Sequence, residues 1–139
     1  MKILGIDYGD ARTGLSVSDP TGMLAGSPSV IAEWNRDKLL DKLTAYIKDN
    51  RIEEIVLGLP RNMDGSEGPR AEKCKALAAD LEERTGLKPV LWDERRTTVD
   101  AHRILFESGK NAKKRKKTVD AVAASLILEG YLDFKRMRG

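Results

Sequence analysis

Acidic side chains stand at three places where chemistry could use them: Asp7 at the end of "KILGID", the pair Asp93-Glu94 after "KPVLW", and Asp120 in "KKTVDAVAASLILEGYL". Carboxylates gathered in one place repel each other and resist full ionisation until a cation enters, so a cluster of them implies a metal. Cys74 is the only cysteine and His102 the only histidine, which leaves no thiolate or imidazole-rich site. Oxygen ligands of this kind select Mg²⁺ or Mn²⁺. Two such ions ~3.5 to 4 Å apart hydrolyse phosphodiesters, one activating water and the other stabilising the leaving oxygen. Each acid also has a plainer reading. An Asp at a strand end opens turns, an acid in a first helical turn answers the macrodipole, and "DERR" can be a surface ion-pair patch.

The elements must bring these acids together. Lys2–Tyr8 reads as a buried strand, Arg12–Asp19 as a second strand, and "MLAGSPSVIA" as a third, with Gly26 and Pro28 as irregular points. Asn35 caps a first helix whose stripe runs through Leu39, Leu40, Leu43, Ala45, Tyr46 and Ile47. "EEIVLGLP" is a strand buried on both faces, "RNMDGSEGPR" a loop, and "RAEKCKALAADLEERTG" a helix stopped by Gly86. "KPVLW" makes a fifth strand, "TTVDAHRILFESG" a third helix, and a basic loop leads to Thr118 as the cap of the last helix. The expected order β-β-β-α-β-α-β-α-α gives an α/β fold: a five-stranded mixed sheet, three strands antiparallel and two parallel, flanked by helices in one domain spanning residues 1–139. In such sheets functional groups collect beyond the carboxyl ends of the parallel strands, where Asp7 and Asp93-Glu94 fall. A close-lying last helix, small at Ala121, Ala123 and Ala124, would carry Asp120 to the same edge.

The chain of 139 residues is 40% hydrophobic and 34% charged, a globular composition with no apolar run long enough to span a membrane. The apolar start is too short for a signal peptide, so the cytoplasm is expected. Net charge is +3, but six of the basic residues lie in "KNAKKRKK", Lys110 to Lys117; without them 19 basic residues face 22 acidic ones. Such a run is often a solvated loop, and it also supplies the sequence-independent attraction to phosphate on which nucleic-acid binding rests.

"GIDYGDARTGLSVSD", "GLPRNMDGSEG", "DERRTT" and "KTVDAVAASLILEGYL" resemble, in that order, the four signature blocks of the YqgF (RuvX) family, which has a ribonuclease H-like fold related to Holliday junction resolvases. The resemblance covers nearly the whole chain. It implies a metal-dependent nuclease, since members are described as resolvase-like and as the nuclease that matures the 5′ end of the small-subunit (16S) ribosomal RNA precursor. Carried over by position, it implies Asp7, Glu94 and Asp120 as catalytic metal ligands. Asp93 is a further ligand candidate, although neighbouring strand residues point to opposite faces and only one of the pair can aim at the metals. Arg96 departs from the family pattern, and His102 falls in mid-helix, where packing or exposure is expected.

A nucleic-acid backbone is expected along Gly9 and Arg12 of the first hairpin, Asn62 and Gly65 of the second loop, Arg95, and Lys113, Lys114, Arg115, Lys116 and Lys117. Gly9 and Gly14 would keep the hairpin slim. For Asn62 and Gly65 a simple Asx turn and glycine bend explain the residues equally well. The residues leave three matters open: precursor 16S RNA on the small ribosomal subunit or branched DNA as the partner, monomer or homodimer, and an enzyme or a non-catalytic RNA-binding module. An actin-like ATPase shares the first block but needs two lobes, and this chain has room for one.

Overall fold

The computed structural model describes residues 1–23, 25–93 and 112–138, as backbone alone at 27, 112–120 and 138. Strands β1 (Ile3–Asp7), β2 (Arg12–Ser18) and β3 (Ala25–Ala32) precede helix α1 (Arg36–Asp49); β4 (Glu54–Leu59), α2 (Pro69–Thr85), β5 (Val90–Asp93) and α3 (Ala112–Arg138) follow. The sheet order is β3-β2-β1-β4-β5. β1 pairs antiparallel with β2, and β2 with β3, while β1, β4 and β5 run parallel. This is the mixed sheet expected from the order of apolar runs. The helix predicted over residues 97–109 lies outside the described residues, as do Glu94, Arg95, Arg96 and His102.

The alternation of each strand divides its residues between two faces. Leu4, Ile6, Ile55, Leu57 and Leu59 turn to one face, where Leu39, Leu40, Leu43 and Ile47 of α1 and Ala71, Cys74, Leu77 and Leu81 of α2 complete the larger core. Ile3 and Val56 turn to the other face and pack with Ile127, Leu128, Tyr131 and Leu132 of α3. Helix ends follow local chemistry: the Asn35 side chain accepts from the Lys38 amide at 3.0 Å, and α2 ends at Gly86 with φ +78°. The β2/β3 register shifts between Ser16, opposite Pro28, and Ser18, opposite Ala25. A proline lacks the ladder donor and is tolerated on this edge strand.

One expectation is corrected. The basic residues 113–117 do not form a loop ahead of a helix capped by Thr118; α3 already runs from Ala112. Lys and Arg are good helix formers and no Gly or Pro interrupts residues 112–118, so the apolar stretch from Val119 extends backwards through them.

Candidate active site

β1, β4 and β5 end at one edge of the sheet. Ile6 sits beside Leu57, so Asp7 stands level with Gly58, and Leu59 is beside Asp93. The two aspartates therefore share an edge but not a face. Asp7 alternates with Gly5 and Ile3 and belongs to the α3 side. Asp93 is level with Leu59, which packs into the α1/α2 core.

α3 runs against β1. Its C-terminal half lies over the start of β4, where the Tyr131 hydroxyl donates to Glu54 Oε1 at 2.8 Å and Lys135 Nζ to Glu54 Oε2 at 2.7 Å. Burial and the neighbouring Glu54 carboxylate push the Tyr131 hydroxyl pKa up, so the phenol stays a donor. Further back along α3, the helix comes so close to β1 that a Cβ on Gly5 would stand 2.9 Å from the Ala124 carbonyl oxygen and 3.0 Å from Leu128 Cβ. Only glycine fits that approach. One helical turn before Ala124, about 6 Å along the axis, is Asp120; two residues past Gly5, about 6.6 Å along the strand, is Asp7. The two positions are thus brought level at the carboxyl edge. Ser125 Oγ donates to Ser16 Oγ at 3.1 Å and ties the same part of α3 to β2.

The hairpin that follows Asp7 is held from both sides. A Cβ on Gly9 would collide with the Arg12 carbonyl oxygen, so the turn closes only with glycine there. Arg70, in the first turn of α2, donates from Nη2 to the Tyr8 carbonyl at 2.8 Å, and Arg70 and Lys73 pair with Asp10 at 3.7 and 3.5 Å. Neither cation stands out in the sequence, although "GPRAEK" is a helix start with basic residues directly after a strand-end loop. Arg12 is half-buried on the Asp7 face, alternating with Gly14, which pairs with Asp7.

In the loop after β4, the Asn62 amide donates to the Ser66 carbonyl at 2.8 Å and the Gly65 amide to the Asn62 carbonyl at 2.9 Å. Asn62 Nδ2 also donates to Ser66 Oγ at 2.9 Å, and Gly65 adopts φ +89°. Both backbone amides thus serve the turn itself. Glu67 pairs with Lys75 and, at 3.7 Å, with Arg61; the Lys75 hydrogen bond is the main reason that its carboxyl pKa lies below the usual glutamate value.

Among the described residues no group of three His, Cys, Asp or Glu side chains could hold a metal ion. Of the predicted ligands Asp7 and Asp93 have described side chains, Asp120 has a described backbone position in α3, and Glu94 lies outside. Lys113–Lys117 occupy the first two turns of α3, ahead of Asp120.

Residues 1–134 match the RuvX family, described as Holliday junction resolvase. The chain belongs to the RuvX family. A relative from Carboxydothermus hydrogenoformans named "Putative pre-16S rRNA nuclease" is 44% identical over 135 residues, 97% of this chain and 98% of the relative. One of the same name from Listeria monocytogenes is 43% identical, covering 96% and 98% of the two chains. Among solved structures, Thermus thermophilus RuvC in complex with a Holliday junction aligns with a TM-score of 0.61 at 15% identity, over 99% of this chain and 96% of that one. The fowlpox virus resolvase bound to junction DNA gives 0.62 at 11% identity, over 97% and 99%. The RuvX chain therefore has the resolvase-type, ribonuclease H-like fold.

Proposed function

We propose that this RuvX-family chain is a divalent-metal-dependent endonuclease that processes the 5′ end of precursor 16S ribosomal RNA in the cytoplasm. The observation that carries the reading is the close approach of α3 to β1 at Gly5, which brings the turn of Asp120 level with the tip of β1 at Asp7. Asp7, Glu94 and Asp120 would hold the metal; their all-oxygen donor set suits Mg²⁺ or Mn²⁺. A bound pair of ions supplies an activated water and a stabilised leaving oxygen. The protein's own part is to hold the carboxylates on one face of a fixed strand and helix and to seat the phosphate backbone. Lys113–Lys117 serve that seating. Cations in the first turns of a helix oppose the macrodipole, by about 0.3 to 1 kcal/mol each near the terminus, and an approaching polyanion reverses that sign. The relatives' names favour the RNA precursor as substrate.

The description of the family and the likeness to resolvases favour a second reading, cutting of four-way DNA, which would need a twofold dimer to present two sites. The test offers the wild-type protein a precursor 16S leader RNA and a four-way DNA junction, each with Mg²⁺, with Mn²⁺ and with chelator. Metal-dependent cutting of the leader is expected. Cutting of the junction alone would make resolution the function, and binding of RNA without any cutting would make the chain an RNA-binding module.

A further inference from the structure

The link between β3 and α1 carries one side chain that the fold does not use. Trp34 is 80% exposed there, whereas the other tryptophan, Trp92, packs edge-on against Tyr131 and Phe134. Exposure of this kind gives folding no benefit, yet the backbone on either side is firmly held. The Glu33 amide donates to the Ala11 carbonyl at 3.0 Å, its carboxylate pairs with Lys42 at 2.9 Å and accepts from the Asn35 amide at 3.1 Å, and Asn35 caps α1. The indole is presented from a fixed platform.

That platform is at the active-site edge. β3 runs parallel to β1 and ends at the same edge, with Ala32 opposite Arg12, and the Glu33–Ala11 bond sets Trp34 beside the hairpin that follows Asp7. Two strand spacings, about 10 Å, separate β3 from β1, which a stacked strand covers in about three nucleotides at ~3.4 Å per step. Trp34 is flanked in the chain by the polar residues Glu33 and Asn35. Arg12 across from Ala32 and Lys38 one turn on supply positive charge for a backbone. We infer that Trp34 is a stacking platform for an unpaired base of the substrate strand, a few nucleotides from the phosphate at Asp7. The inference rests on the nuclease reading only for the identity of the strand. Stacking of this kind tolerates any base and requires it to be unpaired.

The test measures binding by fluorescence anisotropy in chelator, so that cleavage plays no part. Wild type, Trp34→Phe and Trp34→Ala, each checked for folding by circular dichroism, are offered a short single-stranded RNA and a blunt RNA duplex of the same length. Trp34→Ala should bind the single strand about tenfold more weakly and Trp34→Phe only slightly so, with duplex binding the same for all three. Equal single-strand affinity in Trp34→Ala, or an equal loss on the duplex, would overturn the platform and leave the nuclease reading intact. A Trp34-dependent complex that never cuts when metal is added would do the reverse. Absence of binding to either RNA by the wild type would overturn both.

Discussion

The two faces of the sheet are built differently. On the α1/α2 face, branched side chains from β1, β2 and β4 meet branched side chains from two helices and make the larger core. On the α3 face the sheet offers Gly5, Ser16 and Gly14 where the other face offers Leu4, Ile6 and Leu15. The first arrangement stabilises. The second lets a single helix come within backbone contact of β1, and it is this face that carries Asp7. Bulk removed from the α3 side thus brings Asp120 into register with a strand tip, while the opposite side holds the sheet firm.

That contrast can be broken deliberately. Leu57 is fully buried on the α1/α2 face, and Leu57→Ala should lower stability by about 2–5 kcal/mol in urea unfolding while cleavage per folded molecule stays near wild type. Gly5→Val should cost less stability, about 1–3 kcal/mol, but reduce cleavage severely at temperatures where the protein is still folded, because α3 must move off β1. Equal activity loss in the two variants would erase the distinction between the faces. Replacing Lys113–Lys117 by Gln should weaken RNA binding about tenfold at moderate salt and flatten its salt dependence, read from affinities between ~50 and 200 mM salt; an unchanged slope would remove the start of α3 from the interface.

The smallest effect belongs to Glu33, tied to α1. The Lys42 hydrogen bond, and after it the Asn35 amide, hold its carboxyl pKa below the ordinary 4.5. A depressed folded pKa means that the stabilisation is present above the unfolded value and is lost as pH falls through the folded one. Glu33→Gln should therefore be slightly less stable than wild type at neutral pH, with the gap closing in acid. A gap that persists at low pH would assign the effect to something other than the charge.

Much of this was legible in the sequence because it is local. Apolar runs ending at Asp7, Pro60 and Asp93 announced the parallel strands, and Asn35 and Gly86 announced helix ends. The small residues Ala123 and Ala124 announced a helix able to lie close, but the partner in that contact, Gly5, read only as part of a strand, since its role depends on which helix crosses it. The start of α3 is ambiguous in the sequence for a related reason: a basic run has the composition of a loop and the propensity of a helix, and in the structure the propensity prevails. Arg70 and Trp34 carry no signal in the sequence because their meaning comes from the edge they share with Asp7, which the strand order alone reveals. The face of Asp93 likewise needed the ladder register with Leu59.

If chemistry resides on the α3 face of the carboxyl edge, Asp7 is required for it and Asp93 is not. Metal-dependent cleavage of the precursor leader by Asp7→Asn and Asp93→Asn, measured side by side on folded proteins, tests it directly. Loss of about 100-fold or more in Asp7→Asn, with Asp93→Asn within a few-fold of wild type, is the predicted result. Equal loss in both, or loss in Asp93→Asn alone, would contradict it.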